Sequence, residues 1–287
     1  MIRIATRGSV LARWQAERVG TLLGGAIEYV VVATTGDRDQ TSDLHAIGGL
    51  GVFTKEVQQA VLEGRADVAV HSAKDLPSAT PPGLVLAAIP ERADPRDALV
   101  GSSLAELPTG ACVGTGSVRR RAQLASLRPD ITFGPLRGNI ATRLRKRGEL
   151  GYDAVVVAFA ALLRLGLERE AAEVLTPAVC MPQVGQGALA VECRIDDART
   201  RARVGAIDDA TAHRAVDAER SFLAELGGGC DLPCGALAEV AGHDVTVDAL
   251  LASPDGHVVV RGSARGPAPG VAVARELMRS LPGALAS

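Results

Sequence analysis

Short apolar runs bounded by turn residues recur along most of the chain, at positions 2–5, 29–33, 67–70, 84–89, 111–113 and 153–158. Runs of this length, closed by Gly, Pro or Asp, predict buried strands. Between them the apolar spacing lengthens to the helical period at 9–23, 54–63, 117–127 and 139–147. Strand and helix alternating in this way predict an α/β architecture with parallel sheets. After a helix predicted over 210–226 the rhythm changes to alternating segments at 245–251 and 258–262 and a closing helix over 271–281. That change predicts a smaller C-terminal α/β domain.

Two polar, proline-containing stretches interrupt the alternation, ERADPR at 91–96 and MPQVGQG at 181–187. A pair of such crossings is what a two-lobed, hinged molecule needs, with its ligand in the cleft at the carboxyl ends of the strands. The expected domains are therefore 1–92 together with 187–207, then 95–182, then 210–287. A chain of 287 residues, 47% of them hydrophobic, can bury cores of that number.

Composition narrows the function classes. The net charge is -2 and aromatics are 2% of residues, so neither a basic field nor stacking platforms favour a nucleic-acid partner. No apolar run is long enough to span a bilayer, and MIRIATRGSV does not read as an export signal, so a cytoplasmic protein without a membrane partner is expected. The cysteines at 112, 180, 193, 230 and 234 are scattered, which suits free thiols in a reducing compartment. Of 31 basic residues only Lys55, Lys74 and Lys146 are lysine, so a single arginine says little by itself.

Four segments could carry chemistry. HSAKDLP at 71–77 follows an apolar strand, placing Asp75 beside Lys74 at a carboxyl edge; it is a candidate for proton transfer or for stabilising a cation, or else an aspartate capping the next turn. TGSVRRR at 115–121 follows a strand and opens a helix, a ready anion site. RGNIATR at 137–143 repeats that theme, and its arginines read either as ligand donors or as solvated side chains. GGGCDLPC at 227–234 puts Cys230 after three glycines, where a thiol could carry a covalent group, pair with Cys234, or fill a small buried space. No set of ligands for a metal accompanies it.

In this order, RIATRGSVLARWQ, TTGDRD, GVFTKE, RADVAVHSAKDLP, ERADPRDAL, GTGSVRRRAQL, LRGNIATRL, RLGL, VGQGALAVECR and GGGCDLP resemble the porphobilinogen deaminase family across nearly the whole chain. The resemblance implies two periplasmic-binding-protein-like lobes around a hinged cleft, plus a smaller C-terminal domain that carries the cofactor cysteine. It implies a transferase that deaminates porphobilinogen and joins four units head to tail into hydroxymethylbilane, on a dipyrromethane cofactor attached through Cys230. Asp75 would be the catalytic carboxylate, stabilising the azafulvene cation formed as ammonia leaves. Ser72, Lys74, Thr115, Ser117, Arg119, Arg120, Arg137, Gly138 and Arg143 would hold the cofactor. Arg7, Ser9, Phe53, Arg137, Arg143, Arg164 and Gln186 would meet the substrate, with Phe53 against a pyrrole face. No metal and no nucleic acid would be needed, and a monomer is expected. Two departures stand out: the loop at 44–50 lacks the lysines common in the family, and Gly116 stands where a second serine is common. The competing class is a non-catalytic two-lobed binding protein for a small carboxylate, which the same fold would support.

Overall fold

The computed structural model describes residues 1–38, 51–227 and 232–281, with the side chains of 37 and 38 outside the description. Cys230 and the loop at 44–50 therefore lie outside the described residues. The chain divides into two compact units, Met1–Ala93 with Ala188–Asp217, and Asp94–Gly187 with Ala218–Ser287.

The first unit contains β1 (Ile2–Arg7), α1 (Val10–Leu23), β2 (Ile27–Val32), α2 (Thr35–Arg38), α3 (Lys55–Leu62), β3 (Val68–Ser72) and β4 (Leu84–Ala88). The second opens with β5 (Asp97–Val100), β6 (Cys112–Gly114), α4 (Val118–Leu127), β7 (Thr132–Gly134), α5 (Ile140–Glu149), β8 (Ala154–Ala158), α6 (Phe159–Arg164) and β9 (Ala171–Leu175). The chain then returns to the first unit with β10 (Leu189–Arg194) and α7 (Ala198–Gly205), and α8 (Ala210–Glu225) carries it back. It ends in β11 (Cys234–Ala241), β12 (Asp244–Ala252), β13 (Val259–Arg265) and α9 (Pro269–Ser280).

Two five-stranded sheets share one plan, β2-β1-β3-β10-β4 and β7-β6-β8-β5-β9. In each, the first three strands run parallel, and the fourth, β10 or β5, runs antiparallel to both neighbours. The wholly parallel sheets expected from the alternation are thus mixed. The odd strand in each case is the one that follows a crossing. Helices cover both faces because both faces are apolar: Ala16 and Val19 of α1 pack on Ile2, Ile4 and Val70, while Val57, Ala60 and Val61 of α3 pack on Ala5 and Ala69. The centre of the second sheet is β8, AVVVA, with all five residues buried. Burying each of its valines contributes about 1.5–3 kcal/mol only if both faces are covered, which Leu124 of α4 does on one face and Leu162 of α6 on the other. The C-terminal strands form a separate antiparallel sheet, β11-β12-β13, joined to the second unit's core where Leu250 and Ala252 meet Ala122 of α4 and Met181.

Candidate functional site

In the first unit, three elements bring polar residues to one place. β1 ends at Arg7, and Ser9 caps α1 by accepting the Ala12 N–H at 3.2 Å. β3 ends at Ser72 and runs into a short 3₁₀ turn, Ala73–Asp75, whose first N–H donates to Ala188 O at 3.0 Å. The resulting pocket is lined by Arg7, Ser9, Gln15, Phe53, Ser72 and Asp75, with His71 and Thr54 deeper in its wall. Gln15 Nε2 donates to Ser72 Oγ at 2.8 Å, tying α1 to the end of β3. The Arg7 guanidinium lies over the Phe53 ring, 4.2 Å from its centroid. Among the described residues no hydrogen bond or ion pair engages the Asp75 carboxylate. Half-buried, it is a negative charge beside an arginine in a concave surface, suited to hold or stabilise a cation.

A second titratable pair sits inside this sheet. His71 Nε2 is 3.3 Å from Glu192 Oε2, both side chains being buried, and Gln58 Nε2 donates to the same oxygen at 2.8 Å. Sequence reading missed Glu192. No alternation in LAVECR marks it, because the five residues Leu189 to Cys193 are all buried.

In the second unit the corresponding edge is dominated by arginines. Asp97, the first residue of β5, is fully buried and binds Arg119 at 2.8 Å and Arg120 at 2.6 Å. Gln186 Nε2 reaches Asp97 Oδ1 at 2.9 Å and Pro95 O at 2.7 Å. Burial alone would push the Asp97 carboxyl up, but the Arg119 and Arg120 charges, with bonds from Arg120 and Gln186, hold it well below the usual carboxylate range. The Cys180 thiol beside it is pushed up to about 12 by burial and by the Asp97 charge, so it stays protonated. Thr115 and Ser117 stand at the head of α4, where Thr115 Oγ1 accepts the Ser117 N–H at 3.2 Å and Ser117 Oγ accepts the Arg120 N–H at 3.4 Å. A Cβ at Gly116 would lie 2.8 Å from Leu136 O, so here the position where a serine is common fits glycine.

Arg137 follows Leu136, and Gly138 takes φ +113°, a backbone that glycine allows. Asn139 then caps α5 by accepting the Thr142 N–H at 2.9 Å, and Arg143 Nε folds back to Gly138 O at 2.7 Å. At the end of α6, Arg164 donates to Gly187 O at 2.6 Å, and burial pulls its guanidinium down to about 10. It remains charged at neutral pH, and an anionic partner would relieve that penalty.

Of the residues named from the sequence, Arg7, Ser9, Phe53, Ser72 and Asp75 are thus brought together in the first unit, with Lys74 half-buried in the same turn. Thr115, Ser117, Arg119 and Arg120 cluster in the second. Arg119, Arg120 and Gln186 are buried and hold Asp97. Two guanidiniums against one carboxylate still leave one positive charge, and the buried Nε of Arg119 and Nη1 of Arg137 are donors without a partner. Orphaned N–H groups and surplus positive charge fit a cofactor that bears carboxylates, as dipyrromethane does. No helix among the described residues is long and apolar enough to cross a membrane.

Comparison with known proteins bears on this arrangement. Residues 2–202 match the family model described as porphobilinogen deaminase, dipyromethane cofactor binding domain, and residues 213–282 match porphobilinogen deaminase, C-terminal domain. The porphobilinogen deaminase of Acidothermus cellulolyticus is 49% identical over 276 residues, covering 93% of this chain and 83% of that one. Among solved structures, a TRAP periplasmic solute binding protein from Ralstonia eutropha is similar at 15% identity, with 75% of this chain and 80% of that one covered and a TM-score of 0.41. Another, from Desulfovibrio salexigens, is similar at 10% identity, with 77% and 75% covered and a TM-score of 0.42.

Proposed function

The chain belongs to the porphobilinogen deaminase family, and we propose that porphobilinogen loses its ammonia in the Asp75 pocket of the first unit. The activity is that of the family, hydroxymethylbilane synthesis: a transferase reaction in tetrapyrrole biosynthesis that deaminates four porphobilinogen molecules and joins them head to tail, releasing ammonia and the linear product. The cofactor is dipyrromethane, which when bound supplies the pyrrole primer for that reaction. Family membership does not favour the binding-protein alternative.

The observation that carries the site proposal is the open Asp75 carboxylate sharing one pocket with Arg7. As ammonia departs, the carbon–nitrogen bond breaks with its electron pair going to nitrogen, and positive charge spreads over the pyrrole. A carboxylate fixed beside that charge, in a site from which water is displaced, stabilises the transition state more than the ground state. Porphobilinogen brings an acetate and a propionate, and the Arg7 fork and the Ser9 hydroxyl stand on the same wall to receive one of them. Lys74 and Ser72, at the same strand end as that carboxylate, would hold the cofactor. In the second unit, Thr115, Ser117, Arg119, Arg120, Arg137, Gly138 and Arg143 would hold cofactor carboxylates. There Asp97 and Gln186 aim the two buried arginines. Arg164 and Arg143 would serve the substrate as well. The same reading makes the protein a cytoplasmic monomer acting on a small molecule, with neither nucleic acid nor membrane as partner.

Cys230 is assigned the covalent attachment. The test is the intact mass of the purified protein beside its Cys230→Ser variant. The expected result is an excess equal to two linked pyrrole units in the parent and none in the variant. No excess in either, persisting after incubation with porphobilinogen, would remove the assignment.

A further inference from the structure

Two segments of the first unit, TTGD at 34–37 and GVFTKE at 51–56, converge beside Arg7. The Arg7 Cζ lies 4.2 Å from the Phe53 ring centroid, within cation–π range. The ring is itself confined. A Cβ at Gly36 would lie 2.2, 2.5 and 2.8 Å from its Cε1, Cδ1 and Cζ, so the ring fills the space that any side chain at position 36 would need. Gly36 is buried and donates its N–H to Val52 O at 3.2 Å, which ties it to the residue preceding Phe53. On the other side, Glu56 Oε1 accepts both the Thr35 N–H at 2.7 Å and the Thr35 hydroxyl at 2.6 Å, joining the start of α2 to the first turn of α3.

We infer that Gly36 and Glu56 are positioning residues for substrate binding: they seat Phe53, and Phe53 holds the Arg7 guanidinium in place for a substrate carboxylate. The inference rests on the reading of Arg7 as a carboxylate donor. It adds to the part expected of Phe53, one face of whose ring carries the Arg7 guanidinium. An arginine side chain that is free to rotate loses that freedom on binding, and one already held on an aromatic ring does not. The benefit is uniform binding energy, so it belongs in KM and not in kcat.

The test is steady-state kinetics of the cofactor-loaded enzyme and of Arg7→Leu, Phe53→Leu, Phe53→Tyr, Gly36→Ala and the double variant Gly36→Ala with Phe53→Leu. Gly36→Ala and Phe53→Leu are each expected to raise KM for porphobilinogen about three- to tenfold, the weight of one cation–π contact, with kcat within about twofold of the parent. Phe53→Tyr keeps the ring and stays near the parent. The double variant is no worse than Phe53→Leu, because the added methyl group then has no ring to displace. Parental KM in Gly36→Ala, or full additivity in the double variant, overturns the positioning role. A raised KM in Arg7→Leu alongside parental values in Gly36→Ala and Phe53→Leu removes this inference and leaves the role of Arg7 standing. Parental KM in Arg7→Leu removes the role of Arg7 itself. Should Gly36→Ala fail to fold by circular dichroism, the contrast between Phe53→Leu and Phe53→Tyr decides the matter.

Discussion

The two five-stranded sheets follow one strand order, yet their carboxyl edges treat negative charge in opposite ways. Beyond β3 of the first sheet stands Asp75, half-buried and engaged by none of the described residues. In the second sheet Asp97 pairs in register with Ala158, the last residue of β8, and is enclosed by Arg119, Arg120 and Gln186. The carboxyl edge thus carries an available anion in one unit and a neutralised one with surplus positive charge in the other. Location at a strand end does not by itself set how a carboxylate is engaged; the count of donors around it does. One edge suits a cation that forms during reaction, the other suits carboxylates that must be held still.

Exchanging each carboxylate for its amide should separate the two most strongly. Asp75→Asn is expected to lower kcat by roughly 10²–10³-fold with its thermal midpoint unchanged, because it removes charge from the site and little from the fold. Asp97→Asn leaves two buried guanidiniums without their counter-charge, and is expected to lower the unfolding free energy by about 3–5 kcal/mol. Kinetics and urea unfolding of both variants check the pair. A stable, inactive Asp97→Asn, or an unfolded Asp75→Asn, would break the comparison.

Acid sharpens it further. The folded-state value of Asp97 is depressed below its unfolded value of about 3.9. Its contribution is therefore complete above that unfolded value and is lost as pH falls through the folded one. The stability gap between the parent and Asp97→Asn should be constant from about pH 7 to about pH 5 and narrow only below about pH 4. A gap already closing at about pH 6 would mean that another group holds the arginines. The smallest effect concerns the serine caps, one at each edge. Ser9→Ala and Ser117→Ala should each cost about 1 kcal/mol in unfolding experiments, since each hydroxyl accepts one N–H of the helix it opens.

Much of the fold was legible because its signals are local. β1, β3, β4 and β8 are short apolar runs, and α1, α3, α4 and α5 follow the helical period from capping residues that chain chemistry makes recognisable. β5 and β10 were not legible as strands. β5 is only four residues long and opens on buried Asp97, and buried Glu192 interrupts the apolar run of β10 by which a buried strand is recognised. The motif at 71–77 located Asp75, but nothing near Phe53 in the sequence indicated that Arg7 would lie across its ring.

The sequence by itself determined the elements, the strand ends on which Asp75 and Thr115 stand, and the family to which the chain is similar. Those properties depend on residue spacings of a few positions, within which periodicity, capping and turn chemistry act. Only the tertiary structure decided which charges are paired. Asp97 meets Arg119 and Arg120 across 22 and 23 residues and Gln186 across 89, and Gln58 meets Glu192 across 134. Coulomb energy and desolvation depend on separation in space, and folding alone brings those residues within 3 Å or so of one another.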